Sequence, residues 1–294
     1  MKRPPTTWTL ATCIALTCTS AIAHITLPPG GAAANTDYDA VFRVGHACKD
    51  ASATTGVTVR LPKGFAFTDA QARKGWRMEV DPTGDAQVRW TAQGAANALP
   101  DGARAEFVVR GKVTAAPGAL YFKVLQTCDS TSADWAQLPG PLGAEKAAFP
   151  AARLDVLAPG IAPVDVKDAW IRPSVPGQGS TGAFMKLYAP SGARLIGVST
   201  PLAGVAGVHE MKMDGDIMKM REVGGGVELP PRQTIELKPG GYHVMLMDLK
   251  QTLQQGANVP MTLIFEDAKG VRSTAELQVP VGTPDGAAAQ THRH

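Results

Sequence analysis

Two histidines and six methionines fall within the 39 residues from His209 to Met247, in the segments VHEMKMDGDIMKMREV and LKPGGYHVMLMDL. Read as strands, His209, Met211 and Met213 alternate with Glu210 and Lys212, which places the imidazole and the sulfurs on one face. Met218 and Met220 repeat the pattern, and His243, Met245 and Met247 share a face opposite Tyr242, Val244 and Leu246. Asp214-Gly215 is a hairpin signal, because a type I′ turn needs positive φ at both central residues. Centring the turn on that pair predicts His209 opposite Met220 and Met211 opposite Met218. A methionine row on a strand is ordinarily core filling. Here Val and Leu occupy the other face, each Met row carries or pairs with a histidine, and the expected His/Met face holds no carboxylate or thiol. Thioether and neutral imidazole are uncharged, soft to borderline donors, a set that suits Cu(I) over zinc, calcium or magnesium.

The spacing His209, ten residues, Met220, twenty-two residues, His243-x-Met245, with the words MKMR and LKPGGYHVMLM, resembles the PCuAC family of periplasmic copper chaperones from about Val164 to Val281. That resemblance implies a cupredoxin-like β-sandwich whose ligands His209, Met220, His243 and Met245 hold Cu(I) for delivery towards cytochrome oxidase, to one of its subunits or assembly factors. Met211, Met213, Met218 and Met247 then read as residues around the site or on a transfer route.

The elements that position these residues read as all-β. Short alternating runs such as GVTVRL, AEFVV, YFKVL and MTLIF recur along the chain, and no stretch shows a long helical period. Met1-Lys2-Arg3, a short apolar run and Ala21-Ile22-Ala23 predict a secretory signal over 1–23 with cleavage before His24, and the run is shorter than the roughly 20 residues that span a bilayer. No later stretch is apolar enough to span either. The expected location is periplasmic. Removing the signal lowers the formal charge from +3 to +1, which argues against a nucleic-acid partner.

The remaining 271 residues predict two β-sandwich domains: 24–158, a Pro-rich linker at 159–163, a cupredoxin-like domain at 164–281, and a disordered Gly/Ala-rich tail at 282–294 with His292 and His294. Oligomeric state is not legible. Cys48 and Cys128 are an even pair in an exported chain, for which one disulfide is the default and a thiolate metal site the alternative.

After cleavage His24 would offer an α-amino and a ring nitrogen to one metal, a chelate suited to Cu(II). AHITLPPG, FRVGHACKDASATTGVTVRLPKG and VLQTCDSTSADWAQLP, over about His24 to Leu157, resemble the YcnI-like family of copper-associated domains. The resemblance implies a β-sandwich with a single-histidine Cu(II) brace at His24, Trp135 beside it, and a carboxylate from the first cysteine segment. The family's bacillary members carry Glu there. This chain has Cys48-Lys49-Asp50, so Asp50 is the candidate, with His46 an alternative ligand. A copper carrier is thus the expectation, with sequestration of copper as an alternative. Histidine-brace oxygenases are the enzymatic rival; only His46 is available as the second histidine they need, and the first domain's aromatics are few and scattered. No Ser/His/Asp set, paired-carboxylate motif or phosphate loop supports other enzymology, so no catalytic residue is assigned.

Overall fold

The structure is a computed structural model that describes residues 24–83, 86–140, 147–215 and 217–283. The expected signal and residues 284–294, with His292 and His294, lie outside the described residues, whereas Gly282, expected to open the disordered tail, is buried with its amide donating to the Ile171 carbonyl at 2.8 Å. The chain is all-β, with a single short 3-10 turn at Ala95–Asn97 among the described residues. None of the helices among the described residues is long and apolar enough to cross a membrane.

The first sandwich contains β1 (Ala32–Ala33), β2 (Asp37–Val44), β3 (Ala53–Arg60), β4 (Phe65–Ala70), β5 (Trp76–Asp81), β6 (Gln87–Ala92), β7 (Leu99–Pro100), β8 (Ala105–Val113), β9 (Gly118–Cys128), β10 (Ser132–Trp135) and β11 (Ala152–Leu157). One sheet runs β1-β11-β9-β3-β6-β5, with β10 also on β9 and β7 on β3; the facing sheet is β2-β8-β4. Period-two alternation drives the packing. In β9, Leu120, Phe122, Val124, Gln126 and Cys128 point inward, against a core that includes Phe42, Trp90 and Phe107. Cys48 and Cys128 form a disulfide with their Cα atoms 6.0 Å apart, tying the loop after β2 to the end of β9. This excludes a thiolate metal site on the pair.

The second sandwich contains β12 (Asp165–Ile171), β13 (Ser180–Tyr188), β14 (Ala193–Ser199), β15 (Ala203–Asp214), β16 (Ile217–Glu222), β17 (Val227–Leu229), β18 (Thr234–Leu237), β19 (His243–Leu249), β20 (Asn258–Glu266) and β21 (Arg272–Pro280). Its sheets are β12-β13-β19-β15-β16, with β18 on β13, and β17-β14-β20-β21. Leu187, Leu195, Val244, Leu246, Leu263, Phe265 and Val279 fill the space between them. The two apolar cores are separate, the first ending at Val156 and the second starting at Ala162. The intervening Pro-rich stretch lies along the second domain, where Ile161 bridges Thr274. Contacts between the domains include Arg43 donating to the Tyr188 hydroxyl at 3.2 Å and Arg232 facing Glu106 at 3.9 Å. Exposed ion pairs of this kind each contribute about 0–1 kcal/mol.

The β15–β16 hairpin departs from the expected register. Met211 pairs with Met220, Met213 with Met218, Asp214 with Ile217 and His209 with Glu222. The turn is centred one residue later than the Asp214-Gly215 reading, so that Asp214 closes β15 and Gly215, at φ 63°, opens the connection. A glycine at the first turn position satisfies the positive φ without a Cβ clash, whereas Asp214 retains its strand pairing.

Candidate metal centre

The six-stranded sheet has two unlike faces. Val208, Val244 and Leu246 point between the sheets and are buried in the core. Their neighbours His209, His243 and Met245 alternate with them, so they project from the opposite, outer face. The His/Met row is therefore not core filling.

On that face His209 of β15 stands directly opposite His243 of β19, and their ring centroids are 6.2 Å apart. Met245 lies two residues along β19, opposite Gly207. From β16, Met220 reaches back so that its Sδ lies 3.3 Å from His243 Nε2. Met211, opposite Met220, joins Met220, His243 and Met245 around a cavity of about 350 Å³ whose wall also includes Phe184 and Arg172. The Met211 position follows from the register and was not distinguishable in the sequence.

Burial of the imidazoles on an outer face has a local cause. A bulge between Lys167 and Trp170, taken up at Asp168 with φ 51°, brings Trp170 opposite Phe184. The two rings stack at 4.4 Å, and Phe184 lies 6.4 Å from the His243 ring, with the Arg172 guanidinium over its face. Gly182 leaves room for this cover: a Cβ there would approach Phe184 Cζ to 2.9 Å. His243 is consequently only 6% exposed, and His209, with its ring beside that of His243, is 8% exposed.

The hydrogen bonding of both rings points to a cation. His243 Nδ1 lies 2.9 Å from the Gly241 carbonyl, which can only accept, so the neutral ring carries its proton on Nδ1. Nε2 then presents a lone pair to a thioether sulfur, which is itself only an acceptor. Two acceptors in contact are favourable when a positive ion sits between them. His209 is starker: both ring nitrogens are buried without a hydrogen-bond partner among the described residues. A buried polar atom left unpaired costs about 1–3 kcal/mol, a penalty that coordination removes. Gly207 adjoins it: a Cβ there would stand in van der Waals contact, 3.8 Å from His209 Nε2 and 3.6 Å from Glu222 Oε1. Among the described residues no three His, Cys, Asp or Glu side chains converge, so a metal held here depends on the thioethers.

Contrary to the carboxylate-free face expected from the sequence, Glu222, two residues beyond Met220 and paired with His209, shares it. The alternation Met218, Met220, Glu222 places it there by parity. Met213, Met218 and Met247 lie on the same face outside the cavity; Met213 and Met218 are 54% and 50% exposed, and Met247 is half-buried opposite Ser180.

In the first domain His24 meets Trp135 edge-on, with ring centroids 5.9 Å apart. Trp135 is fixed by its Nε1, which donates to Gln126 Oε1 at 3.0 Å; Gln126 Nε2 in turn donates to the Thr54 hydroxyl and the His46 carbonyl, both at 2.7 Å. His46 turns its ring towards Asp101, with Nδ1 3.7 Å from Oδ1. Asp50 is exposed in the turn after Cys48, at φ 63°, with its carbonyl accepting from Ser130. His24 and Trp135 are thus brought together, and His46 is engaged by Asp101.

Two family models match the chain: one described as "Putative lipoprotein LpqE-like" over residues 164–281, and one described as "Domain of unknown function (DUF1775)" over residues 24–156. Among solved structures the chain is similar to the apo PCuAC domain from PmoF1, at 25% identity over 40% of this chain and 94% of that one, with a TM-score of 0.32. It is also similar to Cu(I)-DR1885 from Deinococcus radiodurans, at 30% identity over 38% of this chain and 74% of that one, with a TM-score of 0.32. A curated relative, "Putative lipoprotein Lxx21020" of Leifsonia xyli subsp. xyli (strain CTCB07), is 34% identical over 126 residues, 42% of this chain and 72% of its own length. On that identity and coverage, the chain belongs to the family of the Leifsonia protein.

Proposed function

We propose that this chain is an exported, periplasmic copper carrier, a fusion of a YcnI-like domain with a PCuAC-like domain, and that it moves the metal without transforming a substrate. Cu(I) is the cargo of the second domain, held by His209, His243, Met220 and Met245, with Met211 at hand. The observation that carries this reading is the pair of buried imidazoles on the outer sheet face. His209 has no partner for either nitrogen, and His243 Nε2 abuts the Met220 thioether. Neutral imidazole and thioether donors favour Cu(I), and thioethers exchange one at a time, which suits delivery to a recipient. The resemblance to copper chaperones makes a cytochrome oxidase subunit or its assembly factors the proposed recipient.

For the first domain the reading is a Cu(II) site built on the α-amino and ring nitrogens of His24 once the signal is removed, with Asp50 or His46 as the additional donor. The edge-on packing of His24 against Trp135 supports it, because that contact sets the exposed imidazole against a buried tryptophan. The test is copper content and paramagnetic resonance of protein beginning at His24, before and after mild reductant. Two coppers are expected, one paramagnetic with nitrogen coupling and lost when an extra residue precedes His24. One diamagnetic copper and no paramagnetic site would overturn the His24 assignment; no retained Cu(I) would overturn the carrier reading.

A further inference from the structure

Beyond the cavity, the β15–β16 hairpin carries a second pair of thioethers. Met213 and Met218 pair directly across the strands, on the same face as Met211 and Met220 and one step nearer the turn. At 54% and 50% exposure they fill no core, and a strand position facing solvent gives methionine no advantage over Thr or Val. The other face of the hairpin carries the charge, with Lys212 opposite Lys219 and Glu210 ion-paired to Arg221. Sulfur is thus segregated on one face and ammonium, guanidinium and carboxylate groups on the other, apart from Glu222 at the His209 end.

We infer that Met213 and Met218 form a second, weaker Cu(I) site through which the metal enters and leaves the inner one. The inference rests on the reading of the inner site given above. Directly opposed residues hold their Cβ atoms about 4.5–5.5 Å apart, so two flexible thioethers can close on a single ion. The next pair inward, Met211 and Met220, is displaced by two residues, about 7 Å along the strand. From there Met220 Sδ already touches His243 Nε2 at 3.3 Å. The face is therefore a ladder: two exposed thioethers, then half-buried Met211 with Met220, 49% exposed, at the cavity, then thioether with imidazole. Each step breaks one S–Cu bond as another S–Cu bond, or at the inner end an N–Cu bond to imidazole, forms, with no change of oxidation state and no proton transferred. Two thioethers alone leave coordination positions open, so the outer site is the weaker one and the place where a recipient's ligands can attach.

The test compares full chain beginning at His24 with two variants, Met213→Leu/Met218→Leu and Met220→Leu/Met245→Leu, by anaerobic Cu(I) titration against a chromophoric Cu(I) chelator. Leucine keeps volume and apolarity, and the outer pair is exposed, so the outer variant folds as wild type. Its first Cu(I) equivalent is expected at wild-type affinity within about twofold, while the weaker equivalent disappears and exchange with the chelator slows at least tenfold, a gap of about 1.4 kcal/mol in barrier. An outer variant that keeps the weaker equivalent and exchanges at the wild-type rate overturns the inference while leaving the inner site intact. If the inner variant also retains its first equivalent at wild-type affinity, the inner-site reading falls, and the ladder with it.

Discussion

Replacing His209 by leucine should make the metal-free second domain more stable and the copper-loaded one less stable. The ring is 8% exposed, and neither nitrogen has a partner among the described residues. Leaving such a group unpaired costs about 1–3 kcal/mol, whereas an apolar side chain of similar size has no such requirement. Taking about 1 kcal/mol as the net gain after imperfect repacking, and about 4 °C per kcal/mol for a domain of this size, the metal-free Tm rises by roughly 4 °C. Copper reverses the order. At free Cu(I) near 100 times Kd, wild type gains about 2.7 kcal/mol, roughly 10 °C, and the variant forfeits most of that. The assay is anaerobic thermal unfolding of both proteins with and without chelator-buffered Cu(I), following the second domain's transition. A metal-free variant less stable than wild type by more than about 1 kcal/mol would mean that His209 is structurally satisfied. A variant with an undiminished copper-induced rise would mean that it is not a ligand.

Other consequences follow from particular contacts. Met220→Leu/Met245→Leu should leave unfolding of the metal-free protein within about 1 kcal/mol of wild type while abolishing Cu(I) retention on desalting; unchanged retention refutes the ligand set. Gly182→Ala should displace the Phe184 ring and raise solvent access to His243, seen as faster chelator capture of Cu(I), because the added Cβ would meet Phe184 Cζ at 2.9 Å. Reducing the Cys48–Cys128 disulfide, which closes an 80-residue separation, should cost the first domain about 4 kcal/mol in the chain-entropy account and leave the second domain's transition in place. The Ser52 hydroxyl and amide donate to the Asp129 carboxylate and hold it below the ordinary carboxylate range. A depressed folded value means that this contribution is present above the unfolded pKa and is lost as pH falls through the folded one. Ser52→Ala should therefore move the Asp129 titration, read by NMR, up towards the ordinary value, and an unmoved midpoint refutes the assignment.

Alternation was enough to make the all-β architecture legible, because period two survives wherever one sheet face is buried, as in Leu120, Phe122 and Val124. Faces were legible for the same reason: His209 with Met211, and His243 with Met245, needed only parity. Register was not. Asp-Gly fits two turn placements one residue apart, and the choice is made by which cross-strand pairs form, a tertiary matter; the shift exchanged Met220 for Glu222 as the partner of His209. The cover over the site was equally invisible, because Trp170 and Phe184 meet only through a bulge at Asp168, and nothing in DVKDAWI or STGAFMKLY announces that His243 will lie against them.

The measurement that bears most directly on the central claim is X-ray absorption of the Cu(I)-loaded second site, in protein whose His24 is blocked by an extra N-terminal residue. The expected coordination shell is mixed imidazole nitrogen and thioether sulfur, losing sulfur in Met220→Leu/Met245→Leu and nitrogen in His209→Leu. A shell of nitrogen and oxygen alone, or one unchanged in both variants, would contradict it.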